Sequence, residues 1–486
     1  MDSRPESAGP GGSVKHQFHT HEGIMIVRVA STTPLLVRQL ADFVLSTPAS
    51  DIPALAIEHA KMSIVSTLAS AAAGYDIHSA RIIRELDLAD GGTPAATVWF
   101  DAGRLPLVSA VRVNAVASDA AASDDSDMRS IAHIGTVVSS VALAVAERER
   151  STGQDVLAAM VLGYEVAGRI DESLTPGRMQ RGFHGSYATV FGACVTAGVL
   201  LRLNTWQLAH AIALSATSIG GMAIAADTSC AREYHAGLSA STGVRAALAA
   251  QQGFEGELGV LEQPRGFLDA LNGQSREDIV RDWGASWDIV TDMAIKLMPG
   301  AHPFHATAEA AAEAARSGGH IRFDDIERIV ISAAVQWTNF KGEPHPRNLV
   351  DAAHSLHYFV AAAIVDDGFS WQHMNEAKMA EPLIAALQDK VEFDPDPPPL
   401  PDRFPHRHGG TVTIHMTDGV THRATCVVPR GAGARGIDWR DVENKFLMLF
   451  PQAGLPKDAT EMCLETVMHL DRADSIRSLA RLLSRR

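Results

Sequence analysis

The sequence predicts a mainly α protein: a large all-helical domain built from both chain ends, with a smaller α+β lid domain inserted between them. Three observations predict it. Alanine- and glycine-rich apolar runs of helical period fill residues 32–291. Strand alternation enters near residue 320 and again after 410. The helical period then returns over 433–486, so the end of the chain rejoins its beginning. These changes set the expected boundaries: a disordered tail over 1–31, the helical domain over 32–291 and again over 433–486, and the lid over 292–432.

The tail carries Asp2 and Glu6 among Ser, Gly and Pro, with no apolar run behind basic residues, which fits neither a secretory signal nor an Arg-rich transit peptide. Its His16, His19 and His21 read as part of a solvated segment. The first helix signal is STTPLLVRQLADFVL: Thr33 as cap, Pro34 at the first helical position, and Leu36, Leu40, Phe43 and Val44 on one face. SDIPALAIEHAKMSIVSTLASAAAG follows with the same proline start. The runs GQDVLAAMVLGYEVAGRI, GSYATVFGACVTAGVLLRL and HAGLSASTGVRAALAAQQG are apolar on more than one face, as expected of helices that pack several neighbours at once. In the lid, IERIVISAAVQ alternates Ile329, Ile331, Ala333 and Val335 as a strand does. TVTIHMTDGVTHRATCVV sets Asp418-Gly419 between two alternating runs, a hairpin signal. Between them lie the helix AAHSLHYFVAAAIVDDG and the proline loop FDPDPPPLPDRFP.

Composition bounds the function. A chain of 486 residues, 46% hydrophobic, buries a large core. A net charge of −15 argues against nucleic acid as partner and leaves few cations, so an anionic ligand needs them gathered in one pocket. No run is long enough to span a membrane. Cys194, Cys230, Cys426 and Cys463 are far apart and lack C-x-x-C spacing, which implies a reducing, cytoplasmic setting, no disulfide framework and no iron–sulfur or zinc cluster. A G-x-S-x-G elbow, a P-loop and a G-x-G-x-x-G after a strand are absent. His302-x-x-His305 is not H-E-x-x-H, and no metal or cofactor is expected.

Four segments gather polar groups. IKLMPGAHPFH places Lys296 behind an apolar run with His302 and His305 after a Pro-Gly turn, where a lysine is partly desolvated; a solvated basic loop is the competing reading. SDDSDMRSIAH holds Asp124, Asp125, Asp127 and His133, a base with its orienting acid, or else a solvated acidic loop with a helix cap. RGFHGSYATVFGA sets His184 between Gly182 and Gly185 beside Arg181, at the start of a helix suited to a carboxylate, or else a structural turn. CAREYHAGLSASTG puts Arg232 and His235 one helical turn apart on one face.

In this order the segments resemble the MmgE/PrpD family, which includes 2-methylcitrate dehydratase, cis-aconitate decarboxylase and an iminodisuccinate epimerase. The resemblance runs from about residue 36 to the C-terminus: N-x-V at 114–116 leading to Asp124-Asp125, His133, R-G-F-H at 181–184, His235, K-x-x-P at 296–299, His305, HSLHYFVAAAIVDDG, V-P-R-G at 428–431 and E-N-K-F at 443–446. It implies a helical domain with an inserted lid, a homodimer, and cofactor-free elimination on a small di- or tricarboxylate. Lys296 would then stabilise a carboxylate or enolate, His133 and His184 divide the acid and base roles, and Asp124 tune one of them. Ser126, Arg181, Arg232, His235, His305 and Trp337 would contact substrate. The chain departs from the family pattern at Ala122 and Ala231, where the family often has an acid and a lysine, and at Met298, Ala301, Ser126 and Trp337. A lyase is therefore expected, with an epimerase or a ligand-binding homologue as alternatives.

Overall fold

The computed structural model describes residues 35–218, 220–273, 276–319, 321–335, 344–400 and 408–485. The tail histidines, Thr33, Pro34 and Trp337 lie outside the described residues. The first helix runs Leu36–Ser46 and buries Leu36, Leu40, Phe43 and Val44 as expected, with Leu35 at its N-cap making no side-chain cap bond. Phe43 stacks on Trp283, ring centroids 5.0 Å apart.

At the centre lies the helix Ser186–Leu200, in which every residue but Val199 is buried. It packs against Gly153–Leu174, Ala231–Gln251 and Ile134–Glu149. Burial on all sides requires backbones to approach closely, and glycine supplies the space. A Cβ on Gly163 would stand 2.0 Å from Thr196 Oγ1 and 2.8 Å from the Gly192 carbonyl oxygen. One on Gly243 would stand 2.4 Å from Ala193 Cβ and 2.6 Å from the Val190 carbonyl oxygen. The glycines of the alanine-rich runs are thus packing residues rather than helix breakers.

Leu35–Arg486 form one compact unit. Within it, one apolar core joins residues from Leu36 to Ile295 with Val442 to Leu483, and a second core is made from Met298 to Met416. The second core lies under a four-stranded sheet of order Val391–Phe393, Ile326–Ala333, Gly410–Met416, Thr421–Cys426. The first pair is parallel and the others antiparallel, with Ile331 opposite both Phe393 and Val412. Alternation along Ile326–Ala333 buries Ile329, Ile331 and Ala333, and Gly419 closes the hairpin at a φ of 85°. The helices His305–Ser317 and Leu356–Val365 complete this layer, with Phe304 edge-on to Phe359 at 5.6 Å.

Two very short strand pairs also involve the stretch read as purely helical, the second joining it to the segment that follows. Ala96–Thr97 pairs with Arg104–Leu105, held by Asn114, whose side chain accepts from Trp99 N and donates to the Thr97 carbonyl. Ser126–Asp127 pairs with Met293–Ala294. Two residues are too few to leave a period-2 pattern, which hid both pairs in the sequence. The second pair matters most, because it fixes the Asp124 loop against the segment that carries Lys296. Gly300 N donates to the Ala122 carbonyl at 3.0 Å and Ala301 N to the Ala353 carbonyl at 2.8 Å, tying the same loop to the second core. Among the described residues no helix is long and apolar enough to cross a membrane.

Candidate active site

Asp124 lies at the meeting of the helical core and the sheet layer, with no solvent exposure. Its Oδ2 accepts from His133 Nδ1 at 2.5 Å, and its Oδ1 lies 3.4 Å from Lys296 Nζ. His133 occupies the N-cap of Ile134–Glu149, and Lys296 follows the short strand paired with Ser126–Asp127. A second buried carboxylate, Asp119, stands 3.1 Å from His133 Nδ1 and 3.1 Å from Arg232 Nε. Arg232 also donates from Nη2 to the Asp119 carbonyl at 2.6 Å. Asp119 was not singled out by sequence reasoning; it hides in the polar-to-small end of an apolar helix, Leu107–Ala120, with nothing local to mark it.

Burial and charge push these groups in opposite directions. Burial works against ionisation of Asp124, but His133 and Lys296 overcome it and hold the carboxyl below its ordinary range. Asp119 is lowered in the same way, chiefly by Arg232. Burial also opposes the charge on His133, yet the two carboxylates outweigh it and raise its pKa. For Lys296 burial wins over Asp124, and its pKa falls below the usual lysine value. The ammonium has three donors and makes one long hydrogen bond among the described residues, which leaves donors for a ligand.

His184 takes the other sign. Its ring is centred 5.8 Å from that of His133 and 5.9 Å from that of His235. Burial, then the neighbouring cations of His133 and Arg178, push its pKa well below 6.5, and burial lowers His235 too. The turn that presents His184 is held by Gly182 at a φ of 79° and by the His184 N donation to the Gly221 carbonyl. The three imidazoles form one wall. On the side of the second core, Ser126 Oγ and His302 Nδ1 are 2.5 Å apart, and the His302 and His305 rings are centred 4.5 Å apart. Both rings are kept neutral, by burial first and then by nearby positive charge. Their Nε2 atoms are buried without a hydrogen-bond partner among the described residues, so each is available to a ligand.

The structure therefore brings together Lys296, His133, His184, Asp124, Arg232 and His235, with Ser126 and His305 at the edge. It does not bring Arg181. That side chain is exposed and donates to the Ala270 carbonyl at 2.9 Å, so the carboxylate-binding role expected of it is corrected. The buried neighbour is Arg178, whose Nε donates to Asp171 at 2.7 Å and whose Nη1 donates to the Phe183 carbonyl at 2.9 Å. It shapes the His184 turn from behind. Trp337 lies outside the described residues. Sequence reasoning also gave no role to Lys445, although it stands within the E-N-K-F segment. This lysine is buried, donates to Ser66 Oγ at 2.8 Å and to the Ser123 carbonyl, and is pulled down by burial to about 7. Below Asp124, Asp125 accepts from Ser63 Oγ at 2.6 Å and is lifted by burial to about 6.

Ligand atoms of Asp119, Asp124 and His133 lie within 4.8 Å of one another, close enough to hold a cation. Arg232 and Lys296 already face the two carboxylates, and His133 Nδ1 is engaged by Asp124, so the donor set is neutralised by fixed cations. The arrangement suits proton transfer beside an anion better than metal ligation. A cleft of about 760 Å³ elsewhere carries Glu309, Arg316, Asp367 and Arg435, but these charges pair with one another. A second pocket, of about 320 Å³, has Arg232 and His354 in its wall and adjoins the cluster.

Comparison with known proteins matches residues 38–279 to the MmgE/PrpD N-terminal domain and residues 299–471 to the MmgE/PrpD C-terminal domain. The cis-aconitate decarboxylase of Homo sapiens is 26% identical over 439 residues, covering 88% of this chain and 90% of that protein. That of Mus musculus is 26% identical over 404 residues, covering 80% and 81%. The cis-aconitate decarboxylase of Aspergillus terreus is 24% identical over 467 residues, covering 89% and 93%.

Proposed function

The chain belongs to the MmgE/PrpD family, and from that premise we propose that it is a cofactor-independent lyase acting on a small carboxylate, by decarboxylation or dehydration. The observation that carries the reading is the buried Asp124, shared between His133 and Lys296, opposite a His184 whose titration is pushed the other way. Two identical side chains are thereby separated into a proton donor and a proton acceptor at one pH.

Lys296 and Arg232 hold the substrate carboxylates. Loss of carbon dioxide or of an α-proton leaves negative charge next to a carboxylate, and the Lys296 ammonium, buried beside Asp124, faces it in a site of low dielectric. His133, its Nδ1–H donating to Asp124, carries its second proton on Nε2 and delivers it, to the carbanion carbon in a decarboxylation or to the departing hydroxyl in a dehydration. His184, neutral, is the group that accepts the α-proton in the dehydration. The relatives named above are cis-aconitate decarboxylases, which supports decarboxylation as the first reaction to try.

The test is product analysis by NMR in heavy water with cis-aconitate and 2-methylcitrate, on the wild type and on Lys296→Met. A new alkene or loss of a carboxylate is expected from the wild type. Methionine keeps the aliphatic stem, so Lys296→Met should melt as the wild type does while turnover falls by roughly two to three orders of magnitude. Exchange of the α-proton with no new product across the set, or an unimpaired Lys296→Met, overturns the lyase reading.

A further inference from the structure

The pocket beside the cluster is built for something other than a third carboxylate. Its volume is about 320 Å³. Most of its wall is apolar, with Ala122, Ala226, Val350, Ala353, Trp371 and Met374 representative, and Cys230 at its exposed edge. The charged side chains in the wall are Arg232 and Glu233: Arg232 engages Asp119 through Nε and Nη2, which leaves Nη1 for the head group alone, and Glu233 accepts from Ser79 Oγ at 2.7 Å. His354 donates from Nδ1 to the Val350 carbonyl at 2.9 Å, and burial pulls its pKa down to about 4, so it brings no charge near neutrality.

The charge balance sharpens this. The carboxylates of Asp119, Asp124 and Glu233 stand against the cations Arg232, His133 and Lys296, so the centre is close to neutral before any ligand arrives. A dicarboxylate head can share Lys296 and Arg232. A third carboxylate would enter an apolar space against Glu233, desolvated and unpaired, which is unfavourable. An alkyl group would meet no such obstacle.

We propose that the substrate is an alkyl-substituted dicarboxylate, its head at Lys296 and Arg232 and its alkyl chain in the pocket walled by Ala122, Ala226, Val350, Ala353, Trp371 and Met374. The proposal rests on the carboxylate-lyase reading for the head group and adds the class of its substituent. The pocket has about twice the volume of the ~150 Å³ cavity that accommodates benzene, so it takes a chain of about four to eight carbons.

Calorimetric binding of unreactive 2-alkylsuccinates, methyl through hexyl, to the full chain tests it. Each added methylene should tighten Kd about three- to fourfold until the pocket is full. Ala226→Leu, which fills the pocket from the Ala223–Thr228 helix, should flatten the series. Cys230→Phe narrows the pocket from an exposed position and should do the same. An affinity that is flat or weakens with chain length overturns the proposal, as does a chain-length dependence that survives in both variants. Because no turnover is needed, the two readings fail separately. Chain-length dependence without any product would keep the pocket and sink the lyase, and turnover of cis-aconitate with a flat series would do the reverse.

Discussion

His133 and His184 are the same side chain shifted in opposite directions from the ordinary imidazole value, and that difference predicts a pH profile. His133 is raised above 6.5 by Asp124 and Asp119 acting against its burial. His184 is lowered well below 6.5 by burial and by the cations beside it. On the proposed mechanism the active form has His133 protonated and, in the dehydration, His184 neutral. For the dehydration, kcat/KM, the rate at low substrate, should therefore rise from acid pH as His184 loses its proton and fall on the alkaline side as His133 does, with its two limbs on either side of the ordinary imidazole value. His133→Gln should lower the whole curve by roughly a hundredfold and remove its alkaline limb. A profile in His133→Gln that keeps the same alkaline fall would assign that limb to another group. The same shifts enter stability. The raised His133 contributes stability that is fully present below 6.5 and lost as pH climbs through its folded value. The lowered Asp124 and Asp119 contribute stability present above 3.8 and lost as pH falls through theirs. At this scale the sequence was readable where chemistry is packed into a few adjacent residues, as in the Asp124 to His133 loop and the Lys296 segment. It misled at Arg181, because the choice between Arg178 and Arg181 depends on which way a four-residue helix, Gly177–Gln180, turns them.

Among elements, the helix Ala231–Gln251 does two things at once. Its first turn supplies Arg232 and Glu233, and a turn later His235 joins the imidazole wall. Gly243, further along, lets the helix sit directly on Ser186–Leu200, which follows the His184 turn. The distance between the two helices is thus set in the core and read out at the site. Gly243→Ala places a methyl 2.4 Å from Ala193 Cβ and 2.6 Å from the Val190 carbonyl, and backbone cannot step aside as a side-chain tip can. It should cost about 1–3 kcal/mol of stability through overpacking, seen as a lower Tm, and should reduce turnover as well by moving Arg232 relative to His184. An unchanged Tm would mean that the two helices are not held this closely in solution. Periodicity made these helices legible, and the glycines were legible as part of multi-faced apolar runs. The strand pair joining Ser126–Asp127 to Met293–Ala294 was not, because two paired residues far apart in the chain leave no pattern in either segment.

For the whole molecule, the deciding feature is that the end of the chain completes the core begun at its start. Lys445 reaches Ser66 and the loop in front of Asp124, so a residue from the end of the chain braces the Asp124 loop from below. Such a contact between distant segments is invisible to motif and period, and Lys445 could be found only through the family resemblance of its segment. The last turns go further. Ile476, Leu479 and Leu483 are 2%, 1% and 1% exposed. Phe100 N donates to the Leu483 carbonyl at 2.6 Å, and Arg485 N to the Asp101 carbonyl at 3.1 Å, closing the chain's end onto the loop beside the short Ala96–Thr97 strand. Three fully buried aliphatic side chains are together worth roughly 5–9 kcal/mol, against a total of about 5–15 kcal/mol for a typical domain. A chain ending at Ala473 should therefore lose its cooperative thermal transition or aggregate on expression, while Leu479→Ala alone, costing about 2–5 kcal/mol, should fold with a reduced Tm. If the shortened chain melted at the wild-type temperature, the C-terminal segment would be an appendage, and the bracing of Asp124 by Lys445 would have to stand without it. The structure predicts the opposite order, with the truncation doing more harm to folding than any single substitution at the site.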